Sequence, residues 1–214
     1  MYVFFKKVND PISSYTHFIG AVISTLIGLG WIFWGFYNKS GITTTLTVLL
    51  FAISLISLYS ASSFFHTLPH NHHRYTLFRK LDHSMIYVLI VGSYTPFILA
   101  FKSNAFLFIT IMWILAILGI ILKIFWLHAP RWLSTCIYIL LGWSIIFMPS
   151  MFFTMPIGCL SLIALGGISY TIGGFIFIIQ KPNISTLWSF HEIFHIFILI
   201  GSLFHVLAVT IYIL

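Results

Sequence analysis

Acidic residues are nearly missing from this sequence. Asp10, Asp82 and Glu192 are the only three in 214 residues, and charged residues of both signs make up just 6%. A soluble domain carries about 25%, so a surface built to face water is excluded. Cysteine is scarce as well: Cys136 and Cys159 both sit inside apolar runs. That excludes a disulfide framework and a cysteine-built metal site, and both residues read as small hydrophobes. No low-complexity tract, internal repeat or polar linker divides the chain, so residues 1–214 read as one domain. The first apolar run, from Ile12 to about Tyr37, is longer than a signal-peptide core and no A-x-A site follows it. It reads as a retained first span.

What the sequence holds in excess is apolar: 60% hydrophobic residues and 19% aromatics, with a mean hydropathy of +1.08. In lipid such a chain must satisfy its backbone through helices. A span needs about 20 apolar residues, and runs at approximately 13–37, 42–66, 81–101, 105–126, 132–152, 157–179 and 189–213 qualify. The expected fold is an all-α bundle of seven transmembrane helices. The breaks are Asn38 to Gly41, His70 to Lys80, Lys102 to Asn104, His128 to Arg131, Met155-Pro156 and Gln180 to Asn183. Met155-Pro156 carries no charge, so a six-span fold with one long broken helix is the alternative. Pro96 and Pro149 are expected to kink their helices. The pairs Gly166-Gly167 and Gly173-Gly174 predict close helix contact in the sixth run.

The net charge of +7 does not point to nucleic acid, because the Lys and Arg residues are scattered between apolar runs. With the N-terminus in the cytoplasm, that side holds Lys6, Lys7, Arg74, Arg79, Lys80, Lys123, Arg131 and Lys181. The outer side holds only Lys39 and Lys102. This bias follows the positive-inside rule and puts the C-terminus outside.

The same orientation brings chemistry to one depth. Ser62 and His66 lie at the cytoplasmic end of the second run, Asp82 and His83 at the start of the third, and His191 and His195 at the start of the seventh. Residues at i and i+4 share a helix face, so His191 and His195 can offer their nitrogens to one ion, with His66 as a third ligand. Three neutral nitrogens and one open position are the pattern of catalytic Zn2+, which polarises carbonyls and activates water. Asp82 could hold or deprotonate that water, or orient a ligand imidazole. Ser62 could join its hydrogen bonds. His17 is a possible fourth ligand. His205 lies about 15 Å deeper than His195 and is expected to bond another helix or serve a relay. His70, His72, His73 and His128 fall in loops. His191-Glu192-x-x-His195 also matches the metalloprotease pattern with Glu192 as base, whereas Ser189-x-x-Glu192 fits a capping box.

These residues, taken jointly, resemble the hemolysin III family, the bacterial branch of the progestin and adipoQ receptor superfamily. The matching pieces are Thr16-His17, Ser62-x-x-x-His66, Arg79-Lys80-Leu81-Asp82-His83, Gly92-x-Tyr94-Thr95-Pro96-Phe97, His191-Glu192-x-x-His195, Gly201-Ser202 and His205. The resemblance spans nearly the whole chain. It implies seven helices in a bacterial plasma membrane, zinc held by His66, His191 and His195, Asp82 on a metal-bound water, and Ser62 nearby. Receptor members are linked to ceramide hydrolysis, and in them a Gln takes the place of Glu192, which supports the cap. The implied activity is hydrolysis of a lipid amide or ester, with membrane lipid as partner and no soluble protein partner inferred. The other reading is a non-enzymatic membrane-homeostasis or cytolytic protein whose zinc is structural.

Overall fold

The computed structural model describes residues 8–102 and 105–214. Lys6 and Lys7 of the charge count, and Ser103-Asn104 of the third break, lie outside them. The described residues form α1 (Pro11–Tyr37), α2 (Ile42–Thr67), α3 (Tyr75–Phe101), α4 (Phe106–Phe125), α5 (Arg131–Trp143), a 3-10 turn (Ser144–Phe147), α6 (Pro149–Thr154), α7 (Ile157–Ile179) and α8 (Phe190–Tyr212). Six of these, α1 to α4, α7 and α8, are long and apolar enough to cross a bilayer.

The expected run at 132–152 is helical in pieces. Proline has no N–H to continue a helix, so Pro149 begins α6 instead of prolonging α5. The break is tied down by side chains: Thr154 donates to the Phe101 carbonyl at 2.9 Å and Lys102 Nζ to Ser150 at 2.8 Å. Pro96, by contrast, sits within an uninterrupted α3. The second break is also shorter than expected, because α3 starts at Tyr75 and not near residue 81. Arg79 and Lys80 fall within the helix and not before it, because a long cationic side chain can lie along a helix and still carry its charge to polar surroundings. Asp82 therefore lies two turns inside α3.

Polarity is inverted relative to a soluble protein. Phe33, Phe106 and Phe153 are 72%, 80% and 91% exposed, whereas His17, Ser62, His66, Lys123 and His195 are buried. The apolar outside suits lipid, and polar side chains face one another within. Helix α3 carries the fully buried Tyr87, Val91, Phe97 and Ile98 and packs against α2, α4, α5 and α8. Helix α8 packs against α7 and also against α1, so the last helix closes on the first. That closure is what carries His191 and His195 to the end of α2.

The α7–α8 seam depends on absent side chains, as the paired glycines predict. A Cβ at Gly166 would come within 2.4 Å of the His205 ring and 3.0 Å of the Gly201 carbonyl. At Gly30, on α1, a Cβ would meet nothing within 4 Å. Gly166→Ala is therefore expected to destabilise the folded bundle by about 1–3 kcal/mol. Gly30→Ala should be neutral or slightly stabilising. Thermal unfolding in detergent checks this, and equal melting of the two variants would refute the tight seam.

Candidate metal centre

Two helix starts and one helix end make the site. Helix α8 begins in a capping box: the Ser189 hydroxyl accepts from the His191 N–H at 3.2 Å, and Glu192 Oε2 accepts from the Ser189 N–H at 2.9 Å. The other Glu192 oxygen accepts from the Ser13 hydroxyl at 3.0 Å, tying α8 to α1. This fixes where α8 starts and so places His191 in its first turn and His195 one turn later on the same face. Helix α2 ends at Thr67, with Ser62 and His66 one turn apart on its buried side.

His66, His191 and His195 converge, each offering one ring nitrogen, with all three nitrogens within 4.8 Å of one another. The Nε2 atoms of His66 and His191 are 3.3 Å apart. The Nδ1 of His195 is buried and has no hydrogen-bond partner. A buried nitrogen left unpaired is costly, and neutral imidazoles clustered away from water are suited to a metal ion. This group could hold one.

The sequence reading overlooked Asp10. Its Oδ2 lies 2.9 Å from His66 Nδ1, and its backbone N–H donates to the His66 carbonyl at 3.1 Å. Asn9 donates to the same carboxylate oxygen at 3.0 Å. Burial opposes ionisation of Asp10, but the hydrogen bonds from His66 and Asn9 work against it and the carboxyl is held below its ordinary value. A carboxylate on Nδ1 keeps the proton there and leaves the Nε2 lone pair facing the centre. The orienting role considered for Asp82 thus falls to Asp10, since no hydrogen bond joins Asp82 to an imidazole among the described residues. The clue was available: Asp10 is one of three acidic residues and precedes the first run on the side where the second run ends.

The remaining residues take separate places. Asp82 stands beside Ser62, and both line the same cavity as the three histidines. His17, the possible fourth ligand, is not part of the converging group. Its ring stacks on His195 with centroids 3.9 Å apart and planes 16° from parallel, and neither of its nitrogens has a partner. His205 bonds its own helix, with Nδ1 2.9 Å from the Gly201 carbonyl oxygen, while its ring stacks on Tyr170 of α7. Among the described residues it makes no hydrogen bond to another helix. The cavity has a volume of ≈ 770 Å³. It runs from the histidines past apolar walls such as Leu58, Leu89 and Ile163 toward Tyr94, Trp143 and His205.

A family model described as Haemolysin-III related matches residues 5–206. The chain is similar to the Hemolysin-3 homolog of Bacillus subtilis (strain 168), with 34% identity over 203 residues covering 92% of this chain and 91% of that protein. It is equally similar to Hemolysin-3 of Bacillus cereus, with 34% identity over 203 residues covering 93% and 89%.

The purified protein is expected to carry about one equivalent of a transition metal, lost in His66→Ala, His191→Ala and His195→Ala. Asp10→Asn should keep the fold and weaken metal affinity by about 10–100-fold. Competition with a chelator measures this. An Asp10→Asn protein with unchanged affinity would show that the carboxylate does not position His66.

Proposed function

The chain belongs to the haemolysin-III related family, and from that premise we propose a zinc-dependent hydrolase acting on an amide or ester bond of a membrane lipid. It is a multi-pass protein of the bacterial cell membrane. The observation that carries the reading is the meeting of three imidazoles at the wall of a lipid-sized, largely apolar cavity. Two nitrogens on one tetrahedral zinc, each at about 2.0–2.1 Å, stand about 3.3–3.4 Å apart. The two facing Nε2 atoms stand 3.3 Å apart, which matches that spacing, and the third nitrogen lies within 4.8 Å of both.

His66, His191 and His195 would hold the ion as neutral ligands, with Asp10 fixing the tautomer of His66. When bound, zinc supplies a Lewis acid for a carbonyl oxygen and lets water act as a nucleophile near neutral pH. Asp82 accepts one proton of the attacking water as the new C–O bond forms at the carbonyl carbon, then returns it to the departing amine or alcohol as the C–N or C–O bond breaks. Ser62 orients the Asp82 carboxylate. The cavity walls hold the acyl chain and keep bulk water from the reacting carbonyl. Glu192 is unsuited to be the base, because Ser189 and Ser13 occupy both its oxygens.

The finer topology belongs to the same reading. The pieces α5 and α6 together make the fifth of seven crossings, with the N-terminus in the cytoplasm and the C-terminus outside, as the Lys and Arg distribution supports. The metal centre then lies near the cytoplasmic leaflet.

Asp82→Asn is expected to lower lipid hydrolysis by about 10²–10⁴-fold while retaining metal, and Glu192→Gln to keep most of it. Liberated fatty acid and metal content are the readouts. A metal-loaded Asp82→Asn protein with undiminished hydrolysis would remove Asp82 from the mechanism. A wild-type protein that permeabilises liposomes and cleaves no lipid would replace the enzyme with the non-enzymatic reading. For topology, a C-terminal alkaline phosphatase fusion should be active and a C-terminal green fluorescent protein fusion dark; the reverse would overturn the orientation.

A further inference from the structure

Lys123 is buried at 2% exposure near the end of α4, and no carboxylate pairs with it. Among the described residues the one contact close enough for an ion pair joins Asp10 to the imidazole of His66 and does not involve Lys123. The Lys123 ammonium donates to the Ser134 hydroxyl of α5 at 2.6 Å, a neutral partner that satisfies one of its three N–H bonds. Lysine is almost never so buried without an opposite charge, and within a membrane protein such a group marks a function.

Lys123 lines the cavity, and Arg79 and Arg131 line it too. Arg79 is close enough for its charge to act on Lys123 and on Asp82. The Arg131 guanidinium lies over the Phe177 and Phe190 rings at 5.0 and 5.5 Å, an arrangement that steadies its plane. Its charge reaches His191. Three cations thus line the cavity that holds the metal centre. Of the three acids that also line it, Asp10 is engaged by His66 and Asn9, and Glu192 by Ser189 and Ser13, which leaves Asp82 facing the cations. An apolar cavity continues beyond. Such a wall is built for an anion carrying more than one charge, attached to an apolar body. A phosphate group, with about −1.5 to −2 charges and several strong acceptors, meets that description.

The geometry points to a phosphate-binding subsite formed by Lys123, Arg79 and Arg131, which seats the headgroup of a phospholipid while its acyl chain fills the cavity. This rests on the lipid-hydrolase reading and narrows its substrate class from neutral to phosphate-bearing lipids. A phospholipid carries its ester carbonyls a few bonds from its phosphate, so a headgroup held here leaves a carbonyl beside the histidines.

The test is binding, read apart from turnover. Full-length, metal-loaded protein in detergent is delipidated and offered phosphatidic acid or diacylglycerol of the same acyl chains, with retention measured by native mass spectrometry. Phosphatidic acid should be retained at least about tenfold better, the size of a charge-assisted hydrogen bond. The preference should vanish in Lys123→Met and fall in Arg131→Gln, the second variant guarding against a Lys123→Met protein that does not fold. Metal content serves as the check on folding. An excess of inorganic phosphate that displaces the lipid would assign the site to free phosphate; lipid that stays would assign it to the headgroup. Equal retention of the two lipids, or a preference untouched in folded variants, overturns the subsite. Binding preference in the Asp82→Asn protein separates the two readings. Intact preference without any hydrolysis by wild type strikes only the enzyme, and hydrolysis without preference strikes only the subsite.

Discussion

Helices α2 and α8 touch at two levels, and the rest of the structure depends on that double contact. At one level His66 faces His191 and His195, with the His66 and His195 ring centroids 4.9 Å apart. Two turns deeper on both helices, Tyr59 donates to Ser202 at 2.6 Å, and Tyr170 of α7 shares the same hydroxyl at 2.8 Å. In the apolar interior of a bundle an unpaired hydroxyl is costly, so this second contact leaves little freedom to slide. Two antiparallel helices pinned at two points about 10 Å apart cannot shift register without breaking both. The histidines meet because the hydroxyls below them do. Gly201, beside Ser202, permits the approach, since a Cβ there would lie 2.5 Å from the Tyr170 ring.

The first helix completes the frame. Asp10 clasps His66 through both side chain and backbone, Ser13 bonds Glu192, and His17 stacks on His195. Successive turns of α1 therefore touch the end of α2, the start of α8 and a ligand ring. Each contact is modest by itself; a net hydrogen bond contributes about 0.5–1.5 kcal/mol. Their value is geometric, because a metal site tolerates only small errors in ligand direction. Glu192 belongs to this frame and not to the chemistry. Its adjacency to a ligand in an H-E-x-x-H pattern follows from the third helical residue being where a cap needs a carboxylate.

The sparse charges make the helix order and the candidate ligands legible in the sequence. With 6% charged residues, each polar interruption marks a helix boundary, and each ionisable residue within a run stands out. His66, His191, His195, Ser62 and Asp82 could be named for that reason, and they do line one cavity. What stayed hidden depends on information absent from local pattern. Asp10 lies just before its helix, where a carboxylate reads as an ordinary N-terminal residue; only the close pairing of α1 with α2 aims it at His66. The stacking of His17 on His195 needs the angle between two rings, which spacing does not carry. The broken run at α5 and α6 looks continuous in hydropathy because the 3-10 turn is as apolar as the helices flanking it. The early start of α3 was obscured by treating Arg79 and Lys80 as a loop, when length lets such side chains belong to a helix and to water together.

Whether such a metal centre serves structure or reaction turns on what surrounds its open side. Structural zinc sites are closed by a fourth protein ligand. Here three donors converge, and the candidate for a fourth, His17, lies flat against His195 and outside the group. The open side adjoins Asp82, Ser62 and a cavity of ≈ 770 Å³, within the range of ligand sites, about 300–1,000 Å³. A bundle that needed only a pin would gain nothing from shaping a cavity of that size beside it, since cavities weaken packing. Nor would it gain from burying Lys123 on the cavity wall without a counter-charge, where desolvation opposes folding. Both costs are offset if a lipid enters. Its chain would pack against the apolar walls, and its headgroup would face the cations. The two features hardest to reconcile with a purely structural ion are thus met by one kind of molecule, in the position where its carbonyl would face the three histidines.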